Sequence, residues 1–217
     1  MHADVALAPD PNREESELRS YLGDDFRPER LQHVGHADAF HLTPVAYLYN
    51  LTALAMTGTK LPYLRELVSC VTPGARLLDY GCGIGSDGLL LIEAGYRVEF
   101  ADFDNPSVEY LRWRLKERGL DAPIHDLEQS VPGGFDAAYA LYVIEHAPDP
   151  FAFLRELEQR ADLVVVSFVE PGPGDHDLHH ALPIRDLLAY VADHGLRRHA
   201  LLDRRVHLVL YQPRRAR

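Results

Sequence analysis

Between residues 75 and 212 the apolar positions switch repeatedly between two spacings. ARLLDY (75–80), RVEFAD (97–102), PIHD (123–126), FDAAYAL (135–141) and DLVVVSFVE (162–170) are apolar runs of strand length, the last β-branched through its centre. The stretches between them carry apolar residues at helical spacing. Ser86–Ala94 is closed by Gly95. Asn105-Pro106 opens a helix that buries Val108, Leu111 and Leu115 and stops at Gly119. Asp149-Pro150 repeats that cap-then-proline signal, and PIRDLLAYVADH (183–194) reads as a further helix closed by Gly195. Such alternation predicts a parallel sheet with helices on both faces. LRRHALLD (196–203) and VHLVLYQ (206–212) lie too close together for a helical crossover and are expected to pair antiparallel as a hairpin.

Upstream, Leu18, Tyr21 and Leu22 share helical spacing, as do Val45, Leu48, Tyr49 and Thr52, and then Leu61, Leu64, Leu67 and Val68. Residues 14–72 therefore read as a helical leader that packs on the core and helps cover its site. Residues 1–13, with Pro9 and Pro11 and no periodicity, read as a disordered tail. Pro73-Gly74 marks the start of a ligand-binding domain at 73–217.

Composition narrows the partners. The 217 residues are 47% apolar and 25% charged, ordinary for one domain with an appendage. Acids outnumber Lys plus Arg by 33 to 22, for a formal charge of −11. A nucleic-acid partner needs a cationic face, so none is expected; Arg197, Arg198, Arg204, Arg205, Arg214, Arg215 and Arg217 read as a solvated face and a ragged end. Cys70 and Cys82 lack disulfide or metal-type spacing, which points to a reducing compartment. The N-terminal stretch lacks the basic-then-apolar pattern of a secretory signal. The longest strongly apolar stretch, Ala137–Ile144, is too short to span a bilayer. A cytoplasmic protein with no membrane partner is expected.

The chemistry starts at LLDYGCGIGSDG (77–88). Gly83-x-Gly85-x-x-Gly88 fits a dinucleotide fingerprint, while Asp79-x-Gly81-x-Gly83-x-Gly85 places an acid at a strand end before glycines at every second position. The first frame leaves Asp79 beside a diphosphate, a like-charge contact. The second suits S-adenosylmethionine, which carries a sulfonium and an ammonium and no phosphate, and lets the backbone approach its methionine and ribose portions. Asp102 ends the next strand, where a carboxylate can accept from both ribose hydroxyls; this fits an NAD fold equally. Asp126 ends the third strand, within reach of an adenine amine.

LLDYGCGIG, VEFADFD, HDLE and FDAAYALYVIEHAPDP together resemble the class I S-adenosylmethionine-dependent methyltransferases, nearest the set that methylates small molecules, over residues 75 to about 211. The resemblance implies a doubly wound α/β fold. It is a Rossmann-like, seven-stranded, mostly parallel sheet of order 3-2-1-4-5-7-6 with the last strand antiparallel. By position it implies that Asp79, Gly81, Gly83 and Gly85 line the methionine end, that Asp102 holds the ribose with Phe103 beside adenine, and that Asp126 and Leu127 flank adenine. Leu141, Tyr142 and His146 then follow the fourth strand near the departing methyl.

His146, His179 and His180 are the candidate catalytic residues, since a phenol or thiol acceptor is helped by a nearby imidazole. For each, loop packing stands beside substrate contact. His176, His179 and His180, with Asp175 and Asp177, lie in a Gly/Pro loop without metal-ligand spacing, so no metal is expected. Cys82 reads as a small residue between glycines. The expected function is transfer of a methyl group from S-adenosylmethionine to an oxygen or nitrogen of a small-molecule acceptor. The alternatives are a methyltransferase-fold chain that uses the pocket otherwise or serves a partner enzyme, and an NAD-dependent oxidoreductase. A homodimer and a partner subunit both stay open.

Overall fold

The computed structural model describes residues 7–32, 43–170, 180–202 and 205–214. Seven strands among them form one sheet of order β3-β2-β1-β4-β5-β7-β6: β1 Arg76–Tyr80, β2 Arg97–Asp102, β3 Ile124–Asp126, β4 Phe135–Ala140, β5 Ala161–Val169, β6 Gly195–Leu202 and β7 Val206–Gln212. β1 to β5 run parallel, and β7 lies antiparallel between β5 and β6. This is the expected Rossmann-like order.

Seven α-helices accompany it among the described residues: α1 Pro11–Leu22, α2 Pro44–Thr57, α3 Leu61–Cys70, α4 Ser86–Glu93, α5 Pro106–Glu117, α6 Pro150–Arg160 and α7 Ile184–Ala192. Strand alternation divides the core between the two faces. Leu77, Val98, Phe100, Tyr139 and Val165 meet α3, α4 and α5 on one side. Leu78, Ala138, Val164, Phe168 and Tyr211 meet α6 and α7 on the other. None of these helices is long and apolar enough to cross a membrane.

The leader is part of this core. Tyr63, Leu64 and Leu67 of α3 are fully buried against the sheet, and Leu18 of α1 packs with Leu48, Tyr49 and Ala53 of α2 around Tyr110 of α5 and Ile84. One expectation needs correction: the tail read over 1–13 is structured from residue 7, where Leu7 is buried, and α1 begins at Pro11. Asp10 caps it, its Oδ1 accepting from Arg13 N at 3.1 Å. Proline breaks a helix interior but suits its first position, so Asp10-Pro11 is the same start signal as Asn105-Pro106 and Asp149-Pro150.

The turn from β1 into α4 imposes the tightest local demand. Gly85 caps α4 at φ +73°, in the left-handed region, and a Cβ there would collide with Leu111 Cδ1 of α5. Gly85→Ala should therefore lower unfolding stability by about 2–4 kcal/mol, combining left-handed strain with overpacking. Urea denaturation measures it; a loss under about 0.5 kcal/mol, the range of a neutral surface change, would show that the turn relaxes freely.

Candidate active site

At the carboxyl ends of the parallel strands lies one cavity of about 630 Å³, walled by the 81–84 loop, the tips of β2 and β4 and the leader helices. The loop is laced to β2. Gly81 N and Cys82 N donate to Ala101 O at 2.8 and 3.2 Å, and Gly83 N donates to Asp102 Oδ2 at 2.7 Å. Gly81 has φ +77°, and a Cβ on it would lie 2.5 Å from Val143 Cγ1, so any side chain there would push into the opposite wall.

Asp102 lines the cavity with both oxygens oriented by backbone: Oδ2 by Gly83 N and Oδ1 by Phe103 N at 2.8 Å. A carboxylate has about four acceptor sites, so about two remain for a ligand. Burial raises its pKa, and the two amides oppose that rise. Phe103, beside it on the wall, is 55% exposed, an uncovered aromatic face. Leu127 and Leu141 complete an apolar flank.

Asp79 is not on that wall. It is buried on the β1 face shared with Leu77, near Gly88 and Tyr139 under the start of α4. Its pKa is pushed up to about 8: burial dominates, the Asp87 carboxylate adds to it, and the Lys60 ammonium and Tyr139 hydroxyl oppose it. Asp126 also stands back from the cavity. Its oxygens accept from Glu128 N and Gln129 Nε2 at 3.0 and 3.2 Å and close the turn after β3, leaving Leu127 to reach the wall.

After β4 the backbone turns sharply at Tyr142, the single non-glycine residue with positive φ (62°) among the described residues. Its N–H donates to Ser167 Oγ at 2.7 Å, its hydroxyl lies 2.9 Å from that of Tyr63, and the rings meet edge to face at 5.7 Å. Such a conformation costs about 1–3 kcal/mol and persists only where the surroundings over-determine it. It sets up a wall of Tyr142, Val143, Glu145 and His146. His146 thus lines the cavity, whereas the exposed His180 is tied through its backbone N–H to Glu145 O at 2.7 Å and does not. His179 lies outside the described residues.

Sequence reading missed Lys60 on the leader and Asp87 on α4, both cavity-lining. Lys60 Nζ pairs with Asp87 Oδ2 at 3.0 Å. Burial alone would pull the Lys60 pKa down, but Asp87 and Asp79 hold it above the ordinary lysine value, making it a fixed cation. No local motif marks Lys60; it meets Asp87 only through packing of the leader onto α4. The Cys82 thiol is pushed well up by burial and by Asp79 and Asp102, which fits a packing role.

The sheet order, the terminal antiparallel hairpin and an acid at the β2 tip facing a glycine loop define the class I, Rossmann-like methyltransferase fold. Residues 78–168 match the family model described as a methyltransferase domain. A ubiquinone biosynthesis O-methyltransferase of Xanthomonas campestris pv. campestris is 32% identical over 106 residues, 46% of this chain and 44% of that enzyme. The chain thus spans under half the length of the curated relatives it matches. Magnesium protoporphyrin IX methyltransferase of Synechocystis, solved with bound SAM, shares the fold at TM-score 0.62 and 19% identity, covering 95% of this chain and 99% of that one. A SAM-dependent methyltransferase of Corynebacterium glutamicum does so at TM-score 0.61 and 18% identity, covering 79% and 98%.

The buried Asp79 carries a pH signature. Its folded pKa lies above the ordinary 3.8, so the native chain holds a proton that the unfolded chain releases, and the group erodes stability as pH rises from about 4 to about 8. Asp79→Asn removes that loss. Its stability relative to the parent should climb with pH across the window and level off above it, read by urea unfolding at several pH values. A difference flat in pH would contradict the raised value.

Proposed function

We propose that the chain is an S-adenosylmethionine-dependent methyltransferase acting on an oxygen or nitrogen of a small molecule. The observation that carries this reading is Asp102: its two oxygens are oriented by loop amides, it has acceptor capacity left over, and it stands beside the uncovered ring of Phe103. That pair suits a ribose diol and an adenine face. The charges of the loop suit the rest of the ligand. A diphosphate at the start of α4 would meet the Asp87 carboxylate there, whereas an ammonium and a sulfonium are welcome. Lys60, fixed by Asp87, supplies a cation for the carboxylate of the methionine end.

When bound, the cofactor supplies a methyl group already activated on a sulfonium. The chain's task is then alignment, which supplies up to about 10 kcal/mol of the barrier. The Tyr142–His146 segment and the apolar leader wall of Leu51, Leu54 and Leu61 confine the acceptor. His146 takes the proton of a phenolic acceptor. An oxygen acceptor is supported by the O-methyltransferase names of the sequence relatives. A cytoplasmic setting is supported by the free thiols Cys70 and Cys82.

Calorimetry with S-adenosylhomocysteine tests the cofactor assignment. Asp102→Ala should weaken binding by about 1–3 kcal/mol through loss of a hydrogen-bonded carboxylate. Label transfer from methyl-labelled cofactor to a panel of phenols and amines tests the reaction. Binding without transfer to any acceptor would leave a cofactor-binding fold with another role, and preferential binding of NAD would overturn the reading.

A further inference from the structure

Arg114 of α5 is fully buried, yet every one of its guanidinium nitrogens is bonded. Nε donates to Glu17 Oε2 at 2.7 Å and Nη2 to Glu14 Oε1 at 2.6 Å, both on α1. Nη1 donates to Ile84 O at 2.9 Å and Ser86 Oγ at 2.8 Å, at the end of the glycine loop. The circuit closes on itself, because Ser86 Oγ donates back to Glu14 Oε2 at 2.9 Å. Arg118, one helical turn on, donates from Nε and Nη2 to the two oxygens of Glu17 at 2.7 and 2.8 Å. Neither Arg114 nor Glu17 lines the cavity, but Glu14, Ile84 and Ser86, which they hold, all do.

A planar fork that bonds two carboxylates and two loop groups at once fixes their relative positions as well as neutralising charge. Moving α1 away would leave a buried arginine unpaired, a state far costlier than the docked one. The loop's last turn and the first turns of α1 are therefore parts of one unit. We propose that Arg114 and Glu17 are positioning residues that link docking of α1 to occupation of the glycine loop, so that the nucleoside ligand orders α1 and α1 in turn tightens the ligand. The inference rests on the cofactor assignment above. It adds that the leader is thermodynamically linked to that site through a residue that never touches the ligand. Linkage of this kind is reciprocal.

The chain carries its own probe. Trp113, its single tryptophan, stacks on Tyr110 at 5.9 Å and meets Tyr21 of α1 at 5.5 Å, so its fluorescence reports the seating of α1. In the parent chain S-adenosylhomocysteine should slow amide exchange over residues 11–22 and change Trp113 emission. Glu17→Gln should speed exchange there in the absence of ligand and weaken S-adenosylhomocysteine about ten-fold, within the usual span for linked sites; saturating ligand should restore protection. Arg114→Lys, which keeps the charge and loses the fork, should do the same more strongly; if it does not fold, Glu17→Gln carries the test. Glu15→Gln, which removes only the surface pair of Glu15 with Arg19, should leave affinity unchanged. A general loss of stability would not weaken ligand binding to the folded chain. Glu17→Gln binding with parental affinity, or parental α1 exchange unmoved by ligand, would overturn the linkage alone. Failure of the parent chain to bind S-adenosylhomocysteine would overturn the cofactor assignment with it.

Discussion

The hydrogen bond from Gly83 N to Asp102 Oδ2 joins the two parts on which the site depends. A glycine loop after a strand has amides to satisfy, and a carboxylate at the next strand's tip has oxygens to place. Here each meets the other's need, and Gly81 N and Cys82 N bond to Ala101 O just before that tip. The loop is held open by backbone against sheet, which leaves Asp102 oriented and Phe103 uncovered.

Around this joint, charge is handled by burial and pairing. Asp79 sits beneath α4 with its carboxyl pushed toward the neutral form, and Lys60 and Asp87 hold each other charged nearby. Acid and base are thereby separated by environment into a buried proton store, a fixed ion pair and an oriented acceptor. The Tyr142 turn adds a wall whose strain is supported by Ser167 and Tyr63, side chains from β5 and the leader. Three layers of the fold therefore converge on one cavity, and the leader is as much a part of it as the sheet.

Much of this was legible in the chain. Period-two runs, cap-then-proline pairs and closing glycines located the strands and helices, since those signals act within a few residues. Gly81, Gly83, Asp102, Phe103, Leu127, Leu141 and His146 were named from the motif and all line the cavity, whereas Gly85 of the same motif does not. Asp79 and Asp126 were expected beside the ligand and do not line the cavity. One is turned under α4 by strand alternation, and the other closes a turn. Asp10-Pro11 carries a helix-start signal inside the stretch read as a disordered tail.

The sequence by itself determined the strand–helix alternation, the glycine turn and the acids at strand ends, because each follows from local stereochemistry or from the period of the apolar positions. Only the tertiary structure decided which carboxylate would face the cavity and which would be buried. It alone brought Lys60 to Asp87, and α1 to the loop through Arg114. Those pairings join residues about 30 to 100 positions apart, and their strength depends on exclusion of water, which no local pattern of residues records.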